Sequence, residues 1–217
     1  MTRTLPTLLA VVAVVALVLA IGLLPRLEHL IGTQGEDSGH GVTGTLADAT
    51  GIGGPFTLVT GDGETITESS FPGQYLLLYF GYTYCPDVCP SSLSAMDLAL
   101  RDLDPALLNA VQPLFITVDP ERDTPEIVAD YAGAFHPKLI GLTGTPEQVA
   151  AAVRAYQVHV ERVDMPDSAV GYLIDHSAFL YLMRPDGTLA AFFRHGDAPE
   201  AITAGLRAAL DEKANDR

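Results

Sequence analysis

The sequence predicts an α/β domain built on a mixed central sheet with helices on both faces, and three features predict it. Residues 75–80 are a short, wholly apolar segment that reads as a strand buried on both sides, and residues 114–118 read as a second short core strand. Amphipathic stretches with helix-start signals lie between the strand candidates. The chain then closes on a hairpin pattern and one more helix, an order that implies a sheet with both parallel and antiparallel neighbours.

Ahead of that domain, residues 8–24 carry no charged side chain, and Arg3 is the only charged side chain before them. A helix over residues 5–24 would cover about 30 Å, the thickness of a bilayer's hydrocarbon core. The run is either a membrane anchor or a signal peptide. Val18-Leu19-Ala20 would pass as a cleavage site, but the apolar run is too long for a signal core and continues through Leu24, which favours an uncleaved anchor. Arg3 then stays in the cytoplasm while the acidic remainder crosses the membrane. Residues 1–25 are expected to be a cytoplasmic tip and anchor, 26–54 a flexible Gly-rich tether, and 55–217 the folded domain.

Within the domain, residues 56–60 and 64–67 flank Gly61-Asp62-Gly63 as a hairpin candidate. Strand 75–80 follows. Leu93, Met96, Leu100 and Leu103 recur at helical spacing, predicting a helix over 90–103. Beyond strand 114–118, Thr124 and Pro125 supply an N-cap and a first-turn proline for a helix whose apolar face is Ile127, Val128 and Tyr131. Residues 138–142 are a weaker strand candidate. Thr145 to Gln148 repeats the start signal with a capping-box glutamine, leading into a helix that reaches residue 156. Residues 177–183 and 188–193 flank the turn Arg184-Pro185-Asp186-Gly187, and Asp197-Ala198-Pro199-Glu200 is placed to cap a last helix to about residue 210.

Charge narrows the function. With 12 Lys and Arg against 27 Asp and Glu, the net charge of −15 argues against a phosphate-tracking nucleic-acid binder and against docking on anionic lipid through a basic face. Two cysteines exclude a disulfide-dense scaffold. Both lie in Tyr82-Thr83-Tyr84-Cys85-Pro86-Asp87-Val88-Cys89-Pro90, directly after the most apolar strand, where an open α/β sheet places its working groups. Pro90 suits the first helical position, which puts Cys89 at or beside the N-cap and Cys85 one turn earlier. Unpaired backbone amides and the helix dipole there favour thiolates, which serve as nucleophiles or soft metal ligands. A structural disulfide is the plainer alternative, although a bridge closing so short a loop stabilises little.

Two thiolates leave zinc short of its usual four ligands, whereas Cu(I) accepts two thiolates and one imidazole. His29 and His40 lie in the tether. His136, His159 and His195 read as surface or structural histidines, and His176, at the entrance to strand 177–183, is the candidate third ligand.

Three separated blocks carry a resemblance: FGYTYCPDVCP at 80–90, VDPERDTPE at 118–126, and DHS at 175–177 before a strand ending in RPDG. The chain resembles the SCO/SenC family over about residues 55–210. Those are membrane-anchored proteins with a thioredoxin-like domain that assist assembly of the dinuclear copper centre of cytochrome c oxidase. The resemblance implies copper, as Cu(I) and secondarily Cu(II), held by Cys85, Cys89 and His176. By position in the sequence, Asp175 is a candidate to orient His176 and Asp87 to tune the charge of the motif turn. The implied function is a copper metallochaperone, with thiol–disulfide exchange through Cys85 and Cys89 as the alternative. Implied partners are the copper-binding oxidase subunit, another periplasmic copper chaperone or a thioredoxin-like reductant, and the membrane through the N-terminal helix. The expected location is a bacterial inner membrane, crossed once, with the C-terminal domain in the periplasm.

Overall fold

The computed structural model describes residues 51–215, with side chains through 211. The anchor and the tether up to residue 50 lie outside the described residues. No helix among the described residues is long and apolar enough to cross a membrane. At the tether's end, Gly53 donates its amide to the Ala155 carbonyl at 2.9 Å.

The described residues form nine strands and five helices. β1 (Thr57–Val59) and β2 (Thr65–Thr67) form the expected small hairpin, with Leu58 opposite Ile66. β3 (Tyr75–Gly81) and β4 (Val111–Thr117) are buried at every position, the polar Gln112 and Thr117 of β4 included. Between them lie α1 (Val88–Arg101) and α2 (Pro105–Asn109). α2 is a short helix that the apolar pattern does not mark; Asp104 caps it by accepting from the Ala106 and Leu107 amides. α3 (Pro125–Gly133), β5 (Ile140–Leu142) and α4 (Pro146–Ala155) come next. The Thr145 capping box forms as expected, and such a cap stabilises a helix by about 1 kcal/mol. On α3, Val128 and Ala132 are buried while Ile127, expected on the apolar face, is exposed.

β6 (Val160–Met165) and β7 (Gly171–His176) make a second hairpin absent from the sequence reading, because Val160–Met165 sets the adjacent charges Glu161 and Arg162 between its apolar residues and is buried on neither face. β8 (Phe179–Met183) and β9 (Leu189–Arg194) are the expected closing hairpin, each starting one or two residues later than predicted. α5 (Pro199–Asn215) runs past residue 210. It starts at Pro199, within the expected start segment, and the Asp197 carboxylate just before it accepts from the Arg194 amide at 2.8 Å.

The main sheet has the order β5-β4-β3-β8-β9, with β3, β4 and β5 parallel and β8 and β9 antiparallel, and is therefore mixed. Alternation separates its two faces. Tyr79 and its register partner Phe115 look toward α1 and α3, where the Phe115 and Tyr131 rings meet at 5.2 Å. Phe80 looks the other way, toward Tyr156 at the end of α4, at 5.4 Å. Helices on both faces are thus borne out. Glycine is required where α3 crosses β5: a Cβ on Gly141 would lie 2.2 Å from the Val128 carbonyl oxygen.

Candidate metal centre

β3 ends at the centre of the sheet, and its last residue, Gly81, leaves room for the chemistry above it. A Cβ at Gly81 would lie 2.9 Å from Cys89 Sγ and 3.1 Å from the Phe115 ring. The chain then turns through Tyr82-Thr83-Tyr84 to Cys85. Thr83 is pinned by the buried Asp123 carboxylate, which accepts from its hydroxyl at 2.6 Å and its amide at 3.1 Å. Asp123 also accepts from Thr117 Oγ1 at 2.6 Å, tying the loop to the end of β4. Burial raises the Asp123 carboxyl above its ordinary range, and the threonine hydrogen bonds oppose that rise.

α1 begins at Val88, two residues before the start that Pro90 suggested, so Cys89 sits inside the first turn and Asp87 is the N-cap. The Asp87 side chain makes no capping hydrogen bond. Cys85 Sγ takes that role, accepting from the Cys89 amide at 3.3 Å. A sulfur bearing negative charge is favoured there by the unpaired amides and the dipole of α1.

His176 closes the site from β7. It is the last residue of β7, not the entrance to β8, and Ser177 and Ala178 separate the two strands. Its Nε2 lies 3.3 Å from Cys89 Sγ, and its Nδ1 lies 3.2 Å from the Ser177 carbonyl. The Tyr82 and Tyr79 rings stand edge-on to it at 5.8 and 6.3 Å. Cys85 Sγ, Cys89 Sγ and a His176 ring nitrogen all lie within 4.8 Å of one another, and this is the single such His/Cys/Asp/Glu group among the described residues. Two sulfurs and an imidazole form a soft, three-donor set suited to a low-coordinate ion.

The sulfurs differ electrostatically. The Cys89 side chain, the His176 ring and the Cys89 and Asp87 amides hydrogen-bond to Cys85 and, against burial, hold it down to about 3. Cys89, fully buried, is pushed far above the ordinary thiol range by its hydrogen bond to Cys85 and then by burial. Cys85 is therefore the more acidic sulfur of the pair. Its carbamidomethylation rate should accordingly stay nearly level between about pH 5 and 8, where an ordinary thiol changes almost tenfold per unit. A rate that climbs steeply across that window would show an ordinary thiol at Cys85.

The other candidates fall outside the cluster. Asp87 and Asp175 are exposed, and Asp175 points to the opposite face of β7 from His176, which places it away from the ring. His136 accepts from the Lys138 amide at 3.1 Å, His195 Nδ1 lies 3.0 Å from Ser92 Oγ, and His159 pairs with Glu161 at 3.7 Å. All three behave as the structural or surface histidines expected. The sequence reading missed Asp119, Arg122 and Asp123 as site residues; their signal was a run of charges in a proline-bounded turn at the carboxyl end of a buried strand.

A model of the SCO1/SenC family matches residues 44–211. The chain belongs to the SCO1/SenC family. It is 41% identical over 163 residues to "Protein SCO1 homolog 1, mitochondrial" of Arabidopsis thaliana, an alignment covering 75% of this chain and 48% of that protein. Against "Protein SCO1 homolog, mitochondrial" of Homo sapiens it is 43% identical over 161 residues, covering 72% and 53%. The chain thus spans about half the length of these two SCO relatives. The "SCO2-like protein" of Rickettsia felis aligns at 34% identity over 91% of this chain and 95% of its own length.

Solved SCO structures match as well. Arabidopsis thaliana ScoI with copper bound superposes with a TM-score of 0.69 at 40% identity, covering 74% of this chain and 99% of that one. Yeast Sco1 with copper bound gives a TM-score of 0.64 at 36% identity, covering 75% and 88%. The mixed sheet with flanking helices is the SCO architecture, as the resemblance implied.

Proposed function

We propose that this chain is a copper metallochaperone that assists assembly of the dinuclear copper site of cytochrome c oxidase. The observation that carries the reading is the convergence of Cys85, Cys89 and His176 within 4.8 Å, in a family whose solved members include copper-bound proteins. Cys85 and Cys89 hold Cu(I) through sulfur, His176 supplies the third donor, and Cu(II) is a second state of the same site. A three-coordinate, partly exposed ion can be taken over by an acceptor's ligands one at a time, whereas a closed four-ligand site resists displacement. The acceptor is the copper-binding oxidase subunit, and a periplasmic copper donor or a thioredoxin-like reductant serves upstream. The uncharged run 8–24 supports an inner-membrane anchor that places the domain in the periplasm.

The depressed Cys85 favours a second reading, a thiol–disulfide oxidoreductase that prepares the acceptor's cysteines. Cys85 thiolate would attack the partner's disulfide and release one partner thiolate. Cys89 would then displace the second, leaving the partner reduced and this pair oxidised.

Copper loading of reduced and disulfide-oxidised protein, read by elemental analysis, tests the chaperone reading. Reduced protein should retain one copper and oxidised protein almost none, because the disulfide removes both thiolate ligands. Equal retention would place the principal site elsewhere and defeat the reading.

A further inference from the structure

His176 reaches the cysteines on an arm that the main sheet does not hold. β7 pairs only with β6, and neither joins the five-stranded sheet. A two-stranded ribbon is marginal on its own, so contacts beyond its ladder must fix where His176 stands.

Those contacts converge on residues 119–122. Asp119 Oδ1 accepts from the Tyr172 hydroxyl at 2.8 Å, and its Oδ2 accepts from Arg122 Nε. Arg122 Nη1 donates to the Tyr172 carbonyl at 3.0 Å and to the Val170 carbonyl at 3.3 Å. The guanidinium centre lies 3.6 Å from the centroid of the Tyr172 ring and 4.7 Å from that of Tyr84, the residue before Cys85. Arg122 therefore touches the cysteine loop with one face and the histidine strand with its fork and the Tyr172 stack. Tyr82, between β3 and the cysteines, adds one more tie by accepting from the Ile174 amide at 3.2 Å.

We propose that Arg122 is a positioning residue which, through Tyr172 and its strand, holds His176 over the two sulfurs and so sets whether copper meets three donors or two. The inference rests on the copper reading of the site. Arginine suits the role because its planar fork donates in fixed directions while its face stacks on a ring; lysine keeps the charge and loses both. The arrangement also carries a cost, since Arg122 Nη2 is buried without a hydrogen-bond partner. Fixing the strand offsets a penalty that a surface ion pair would not incur.

The test compares the full-length chain with Arg122→Lys, His176→Ala and the double variant. Three quantities are read: Cu(I) affinity by chelator competition, the Cu(II) electronic and EPR spectra, and the count of titratable thiols. Arg122→Lys should weaken copper binding about tenfold, the low end for groups that orient metal ligands. Its Cu(II) spectrum should move toward that of His176→Ala, with both thiols still titrating. In the His176→Ala background the same change should cost less than about twofold, because a residue acting through the imidazole has nothing left to position.

Unchanged affinity and spectrum in Arg122→Lys would overturn the proposal, and so would losses that multiply in the double variant. If Arg122→Lys does not fold, Tyr172→Phe, which removes only the hydroxyl bond to Asp119, takes its place in the same cycle. If the wild-type chain takes up no copper, the copper reading fails on its own. The arm is then read by amide hydrogen exchange across residues 171–176: faster exchange in the variant supports the clasp, and unchanged exchange rejects it.

Discussion

Cys89→Ser should remove nearly all copper retention while leaving the fold intact. The side chain is fully buried against Gly81, and a serine hydroxyl fits wherever the larger sulfur fits. The loss is chemical: a hard neutral hydroxyl replaces a soft thiolate. Structural zinc sites bind with about 10–16 kcal/mol shared over four ligands, and by that measure one ligand is worth roughly 3 kcal/mol, or about a hundredfold in affinity. Cys89→Ala, which unlike serine also removes the hydrogen-bond donor, should raise Cys85 toward an ordinary thiol, because the Cys89 side chain is the leading cause of its depression. Alkylation of Cys85 near pH 5 should then slow sharply. Copper competition on Cys89→Ser and alkylation of Cys89→Ala check the two effects, and full copper retention in Cys89→Ser would show that Cys89 is not a ligand.

His176→Ala should weaken copper by a smaller factor, between about tenfold and a hundredfold, since two thiolates already satisfy a two-coordinate Cu(I). The fold should survive, because the ring is only partly buried and ends a peripheral ribbon. The Cu(II) spectrum should change with loss of the nitrogen ligand. Exchange with a partner disulfide needs only the two sulfurs and should persist. Oxidase assembly that fails while thiol exchange continues would place delivery ahead of reduction as the function; unchanged copper affinity would remove His176 from the ligand set.

The cysteine motif and both central strands were readable because each is local: a six-residue apolar run can only be buried, and a cysteine pair after it sits at the strand's carboxyl end. The Thr145 capping box was equally local. The His176 setting was not, since the ribbon that carries it has too little apolar periodicity to announce a strand, and what fixes it lies some fifty residues away at Asp119 and Arg122. The helix start was misplaced for a related reason. Pro90 has the right chemistry for a first turn but occupies its third position, while a cysteine sulfur does the capping usually done by Asp or Ser.

The unequal sulfurs also set a proton count. With Cys85 held down and Cys89 pushed up, loading Cu(I) should expel about one proton from sulfur, not two. Across mildly acidic to neutral solution, the sulfur contribution to apparent affinity should then change by about one decade per pH unit instead of two, a slope that copper competition at several pH values reads directly.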